Sequence, residues 1–146
     1  MKRVAVLALA VLALAVVLFI SGCSNIIKEI TTTISGRVTN EGESVTGAYV
    51  ILLDAGDSVS EGLSLSNGMI TNSHGDYMIV GVSPGDHYVA AIADINSNLV
   101  FDEDTDKIGY WGEPDTLTGL TIPSTLHINE DDDLEGIDIT KLYGLR

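Results

Sequence analysis

Apolar and polar residues change their spacing once along this chain, near residue 33. Val4 to Ile20 is an unbroken apolar run without a charge, preceded by Lys2 and Arg3, and it predicts an N-terminal signal helix. From Ile34 onward no stretch keeps a 3.6-residue period for the length of a helix. Apolar residues recur instead at every second position over short runs, as in strands. Ile34, Gly36 and Val38 alternate with Ser35, Arg37 and Thr39. Ala48, Val50 and Leu52 alternate with Tyr49, Ile51 and Leu53, so both faces are apolar and the strand is central. Tyr77 and Ile79 face one way, Met78 and Val80 the other. His87–Asp94 is the next strand, Leu126 and Ile128 begin a late one, and Ile137 and Ile139 close the domain.

Turn chemistry separates these runs. Asn40-Glu41-Gly42 and Ser73-His74-Gly75-Asp76 read as turns, and Ser83-Pro84-Gly85-Asp86 fits a type II turn with Gly85 where positive φ is required. Asp54–Gly68 reads as a long loop with room for a short edge strand, Asn96–Asp115 as polar loop, and Glu130–Asp133 as a charged turn. About seven short strands at this spacing predict an all-β domain, a β-sandwich.

The apolar run ends at Ile20-Ser21-Gly22-Cys23, which holds the only cysteine. An aliphatic residue and two small ones before a cysteine resemble the lipobox of bacterial lipoproteins. That resemblance implies cleavage between Gly22 and Cys23 and attachment of acyl chains (palmitate among them) at Cys23. Two other readings stand beside it: an uncleaved anchor, since about 20 apolar residues span a bilayer, and an ordinary buried thiol at Cys23. The lipoprotein reading divides the chain into a signal peptide, 1–22, a tether, 23–33, and a domain, 34–146. It places the domain outside the cytoplasm, on the cell membrane or the outer membrane.

Charge narrows the partners. The formal net charge is −14, and loss of Lys2 and Arg3 with the leader makes it −16. Nucleic acid is excluded as a partner, because phosphate recognition needs Lys and Arg in numbers. Electrostatic adhesion to anionic lipid is disfavoured for the same reason, so membrane attachment would rest on the acyl chains of Cys23. A single cysteine allows no internal disulfide, leaving packing, with a bound ion as a further source, to stabilise the domain.

Four segments carry a family resemblance: Ile34-Ser35-Gly36-Arg37-Val38, Gly47-Ala48-Tyr49-Val50, Thr71 to Tyr77, and Val82-Ser83-Pro84-Gly85-Asp86-His87-Tyr88. Their order resembles the carboxypeptidase regulatory-like domain, one of the prealbumin-like (transthyretin-like) sandwiches. The likeness covers roughly Thr33–Asp94 and fades beyond it. It implies a prealbumin-like Greek-key sandwich and an accessory surface module, with no catalytic residues to carry over.

One stretch has the composition of a site. Asp94 to Asp106 reads D-x-N-x-N-x-V-x-D, with oxygen side chains at every second residue. Such alternation can converge on one hard cation, and Ca²⁺ takes six to eight oxygens. Asp94, Asn96 and Asn98 would supply side chains, Val100 its carbonyl, and Asp102 a direct or water-mediated contact. The run resembles EF-hand and dockerin-type loops. It departs from them at Leu99, where glycine makes the sharp turn, and at Thr105, where a glutamate closes the shell; Asp104 or Asp106 would substitute. The competing reading is an Asx-turn loop whose Asp and Asn side chains cap backbone amides.

Other features are weaker. Glu130–Asp133 reads as a solvated turn, and Trp111 beside Tyr110 as packing rather than a sugar platform. His74, His87 and His127 have no sequence cue that unites them, and no catalytic motif is present. The expected function is therefore that of a lipid-anchored, non-enzymatic structural or interaction module of the cell envelope, with Ca²⁺ in the acidic loop. A module binding carbohydrate or peptide at the cell surface is the alternative, and other envelope proteins or glycans are the expected partners.

Overall fold

The computed structural model describes residues 32–145. The signal segment, the Gly22–Cys23 junction and nearly all of the tether lie outside the described residues. Among those described, no helix is present, and none is therefore long and apolar enough to cross a membrane.

The chain is all-β. Its strands are β1 (Thr33–Arg37), β2 (Thr39–Asn40), β3 (Glu43–Ser44), β4 (Tyr49–Asp54), β5 (Met69–Ile70), β6 (Asp76–Val80), β7 (Gly85–Ala93), β8 (Lys107–Tyr110), β9 (Gly112–Pro114), β10 (Thr121–Pro123), β11 (Leu126–Ile128) and β12 (Asp133–Leu134). One sheet has the order β12-β1-β6. The larger has the order β11-β7-β4-β5, and β8 shares with β11 the edge of β7 opposite β4. Two hairpins, β2–β3 and β9–β10, stand apart from both.

The two main sheets pack face to face in sandwich fashion. Ile34 of β1 and Tyr77 of β6 meet Val50 of β4, Val89 and Ala91 of β7, and Leu126 and Ile128 of β11 in one buried cluster. The two-residue period explains the choice: in β6, Tyr77 is buried while Met78 and Val80 are exposed. Ile137 and Ile139 complete this core from a segment that runs parallel to β1, with Ile137 N–H donating to Ser35 C=O and Ile139 N–H to Arg37 C=O. Only glycine fits opposite, since a Cβ on Gly36 would sit 2.2 Å from the Ile137 carbonyl oxygen.

A second cluster lies on the other face of the large sheet. Leu65, Ile92, Phe101 and Ile108 are fully or almost fully buried there, each burial contributing about 1.5–3 kcal/mol. The Asp54–Gly68 stretch supplies Leu65; past Asp54, where β4 ends, it holds no strand but makes an isolated bridge from Ser64 to Val100. β7 is consequently covered on both faces, with Val89, Ala90, Ala91 and Ile92 at zero exposure.

Three expectations are corrected. The strands are shorter and more numerous than seven, because turns and bridges break the ladders into pieces of two to six residues with β7 alone longer. Asn96–Asp115 is not all loop: β8 and β9 lie within it, β8 held by pairing with β7. Gly85 has φ 149°, more extended than a type II turn requires, because it already opens β7 opposite Ile128.

Candidate functional site: the acidic loop between β7 and β8

The D-x-N-x-N-x-V-x-D run forms the connection from β7 to β8. Asp94 follows the last residue of β7, and its carboxylate folds the chain back over itself. Oδ1 accepts the Asn98 N–H at 3.2 Å and Oδ2 the Leu99 N–H at 2.9 Å. Asn96 Oδ1 accepts the Asn98 N–H and Asn98 Oδ1 the Val100 N–H, two successive Asx turns. Ser97 and Leu99 stand at φ 58° and 63°. Leu99 thus adopts, without being glycine, the left-handed conformation that glycine provides in EF-hand-like loops. The conformation costs roughly 1–2 kcal/mol for a residue with a Cβ.

Asp102 faces this turn. Its Oδ2 accepts Asn96 Nδ2–H and Asn98 Nδ2–H, both at 2.7 Å. These two amides, Asn96 foremost, hold the Asp102 carboxyl below the usual carboxylate range, outweighing the opposing effect of desolvation. Four of the expected ligands, Asp94, Asn96, Asn98 and Asp102, therefore do converge in one loop. Val100 lies beside them, half-buried and bridged to Ser64.

Asp106 has a different place. It is 2 % exposed, and its two oxygens accept the Ile95 N–H at 2.9 Å and the Asp102 N–H at 3.0 Å. The Asp106 N–H donates in turn to the Asp102 carbonyl at 2.9 Å. Asp106 is a strut tying the two ends of the loop from inside. No group of three or more Asp, Glu, His or Cys side chains is arranged to hold a metal among the described residues. The physical reason is local: the carboxylates of Asp94, Asp102 and Asp106 are each occupied by N–H donors. A cation in this loop would take Asp94, Asp102 and, after half-turns of their amides, the Oδ1 atoms of Asn96 and Asn98.

Two residues that matter here carry no site-like signal in the sequence. Phe101 is fully buried and pins the loop into the second cluster, with its N–H donating to Leu63 C=O and its C=O accepting the Gly62 N–H. Glu61 accepts the Glu103 N–H at 2.7 Å. Phe101 is hidden because it falls between the alternating polar positions, and Glu61 because it lies in the separate Asp54–Gly68 stretch.

The remaining candidates are dispersed. Ring and carboxylate of His127 and Asp86 lie 2.6 Å apart, and those of His87 and Asp54 3.5 Å apart, as cross-strand pairs. His74 lies in the turn before β6, hydrogen-bonded through its N–H to Asn72. In the Glu130–Asp133 turn the acids diverge: Asp132 accepts from Asn129, whereas Asp133 accepts from Thr33. Trp111 packs partly buried against the main core, its N–H donating to Val89 C=O. No family model, curated protein or solved structure matches the chain.

Proposed function

We propose that this chain is a lipid-anchored protein of the cell envelope whose β-domain serves as a non-enzymatic structural or interaction module, with Ca²⁺ stabilising the β7–β8 loop. The observation that carries the reading is the junction of two patterns. A charged start and an uncharged run end at Ile20-Ser21-Gly22-Cys23, and an all-β domain begins ten residues later at Thr33. A tether of that length reaches at most about 35 Å when extended, so acylated Cys23 would keep the domain against the membrane surface. The prealbumin-like Greek-key arrangement belongs to the same proposal, supported by the four motif segments and by two sheets packed around one core.

The test is the intact mass of the protein recovered from its own membranes. A chain beginning at acylated Cys23 supports the reading, and an unmodified N-terminus at Met1 overturns it. The Ca²⁺ component rests on the alternating oxygens of Asp94, Asn96, Asn98 and Asp102, the Val100 carbonyl, and the left-handed Leu99. Affinity is expected in the weak extracellular range of ~10⁻⁴–10⁻³ M. With a dissociation constant of about 1 mM, about 10 mM Ca²⁺ adds ~1.4 kcal/mol of stability by mass action. Melting curves of the full chain in Ca²⁺ and in chelator measure this, and coincident curves remove Ca²⁺ from the proposal.

A further inference from the structure

The small sheet ends in an open edge at β6. Val38 N–H donates to Gly75 C=O, and Gly81 N–H to Thr32 C=O, so Gly75 and Gly81 turn their main-chain groups toward β1. In an antiparallel ladder this direction repeats every second residue. Tyr77 and Ile79 therefore also face β1, while Asp76, Met78 and Val80 direct N–H and C=O away from it. Asp76 is satisfied, since its N–H reaches Asn72 Oδ1 and its C=O accepts the Asn72 N–H. The main-chain groups of Met78 and Val80 pair with no described strand, because β6 is the last in its sheet. An edge of this kind invites another strand.

Around that edge the surface is apolar, and acids lie farther along the same face on the segment beyond β1. Met69, Ile70, Met78 and Val80 are all more than 40 % exposed. A groove of about 710 Å³ runs from Met69 and Ile70 across β6 and β1 to Glu135 and Asp138. Its one cation, Arg37, is held by Asp76 at 2.7 Å, which leaves the carboxylates of Glu135 and Asp138 in excess.

We propose that the β6 edge binds an extended segment of a partner protein, in which apolar residues alternate with Lys or Arg, by strand addition at Met78 and Val80. Main-chain hydrogen bonds supply pairing and the exposed Met and Ile side chains bury the apolar positions, while the net charge of −14, with Glu135 and Asp138 on the segment beyond β1, favours the basic ones by long-range attraction rather than by contact. A second copy of this chain is the wrong partner on charge, since each copy carries −14 and both grooves present acids. The inference names a partner class for the interaction-module reading and rests on it for its biological setting.

The probe is a nine-residue peptide alternating lysine with valine, added to the full chain in mild detergent and followed by fluorescence anisotropy and hydrogen exchange. Binding should slow exchange at Met78 and Val80, and weaken as salt rises. Met78→Pro removes an outward N–H without touching the β1 ladder and should weaken binding about tenfold or more, the scale of one to two lost hydrogen bonds. Glu135→Lys, on the segment beyond β1, changes only the long-range field and should weaken binding less than Met78→Pro while lowering the salt dependence. N-methylation of the peptide's pairing amides leaves the protein untouched and should abolish binding even if Met78→Pro folds poorly. The proposal is overturned if the N-methylated or an all-glutamate counterpart binds equally, or if bound peptide leaves Met78 and Val80 unprotected. Protection of those amides before peptide is added, or a dimer in free solution that buries them, overturns it as well. Each of these failures leaves the intact-mass test of the lipid anchor unaffected, so the two readings fall separately.

Discussion

Asp106→Asn isolates the internal strut of the acidic loop. Both oxygens of the native carboxylate accept buried N–H groups, from Ile95 and from Asp102. Asparagine keeps one acceptor and replaces the other by an NH₂ group. In either orientation of the amide, one backbone N–H meets a donor instead of an acceptor. A hydrogen bond to a charged group contributes about 1.5–3 kcal/mol, and orphaning a buried donor costs a similar amount. The two effects overlap at one contact, so the expected loss is about 2–4 kcal/mol, a large part of a typical domain's stability of roughly 5–15 kcal/mol. At ~3–6 °C per kcal/mol for a domain of this size, melting should fall by about 6–24 °C. The assay is Trp111 fluorescence during heating and urea unfolding at pH 7 in chelator, beside Glu130→Gln as an exposed control expected within ~0.5 kcal/mol of the native chain. Native-state hydrogen exchange should speed up at the Ile95 and Asp102 amides in the variant. A loss below about 1 kcal/mol would falsify the strut, because it would mean that neither N–H depends on the charge of Asp106.

Three further outcomes follow from the same geometry. Tyr77→Phe removes the buried hydroxyl that donates to the Ile137 carbonyl at 2.6 Å and should destabilise by about 1–3 kcal/mol; a melt unchanged from the native chain would show that water replaces the phenol. Leu99→Gly relieves the left-handed backbone of a residue that is 44 % exposed, so the variant should gain roughly 1 kcal/mol in the same melts, and a loss would mean that the Leu99 side chain packs more than its exposure implies. The hydrogen bond and charge of Asp86 raise the His127 pKa above its ordinary value. That pairing stabilises the fold in full below the unfolded-state pKa and is lost as pH rises through the folded one. A proton NMR titration should place His127 above 6.5, with Asp86→Asn bringing it back, and equal titration in both proteins would exclude the pair.

Strands whose one face meets the core were legible because burial enforces the two-residue period. Tyr77 and Ile79 against Met78 and Val80 is the clearest case, and the structure buries the first pair's face while exposing the second. The double-faced pattern of residues 48–53 correctly marks β4 as central, between β7 and β5. β8 was illegible for a reason that lies far away in the chain. Its Gly109 reads as a strand breaker, yet a Cβ there would stand 2.1 Å from the Lys141 carbonyl oxygen; the glycine serves packing against the C-terminal segment. The second core was hidden likewise, because Leu65 lies in a Gly- and Ser-rich stretch and Phe101 within the acidic run, 36 residues apart, and they acquire meaning only when Ser64 and Val100 bridge.

The candidate site divides along the same line. Alternation of Asp94, Asn96 and Asn98 foretold a loop closed by side-chain oxygens, since that spacing aims each one at a backbone N–H two to five residues ahead. What alternation does not encode is the clamp. The Phe101 main chain bonds both Gly62 and Leu63, the Leu99 carbonyl accepts the Leu65 N–H, and the Phe101 ring is buried below. A left-handed leucine persists only where its surroundings over-determine it, and these contacts on either side of Val100 do so. The second core therefore shapes the loop. A cation entering there would exchange the amide contacts at Asp102 for its own and turn the Asn96 and Asn98 amides over, without having to fold the chain.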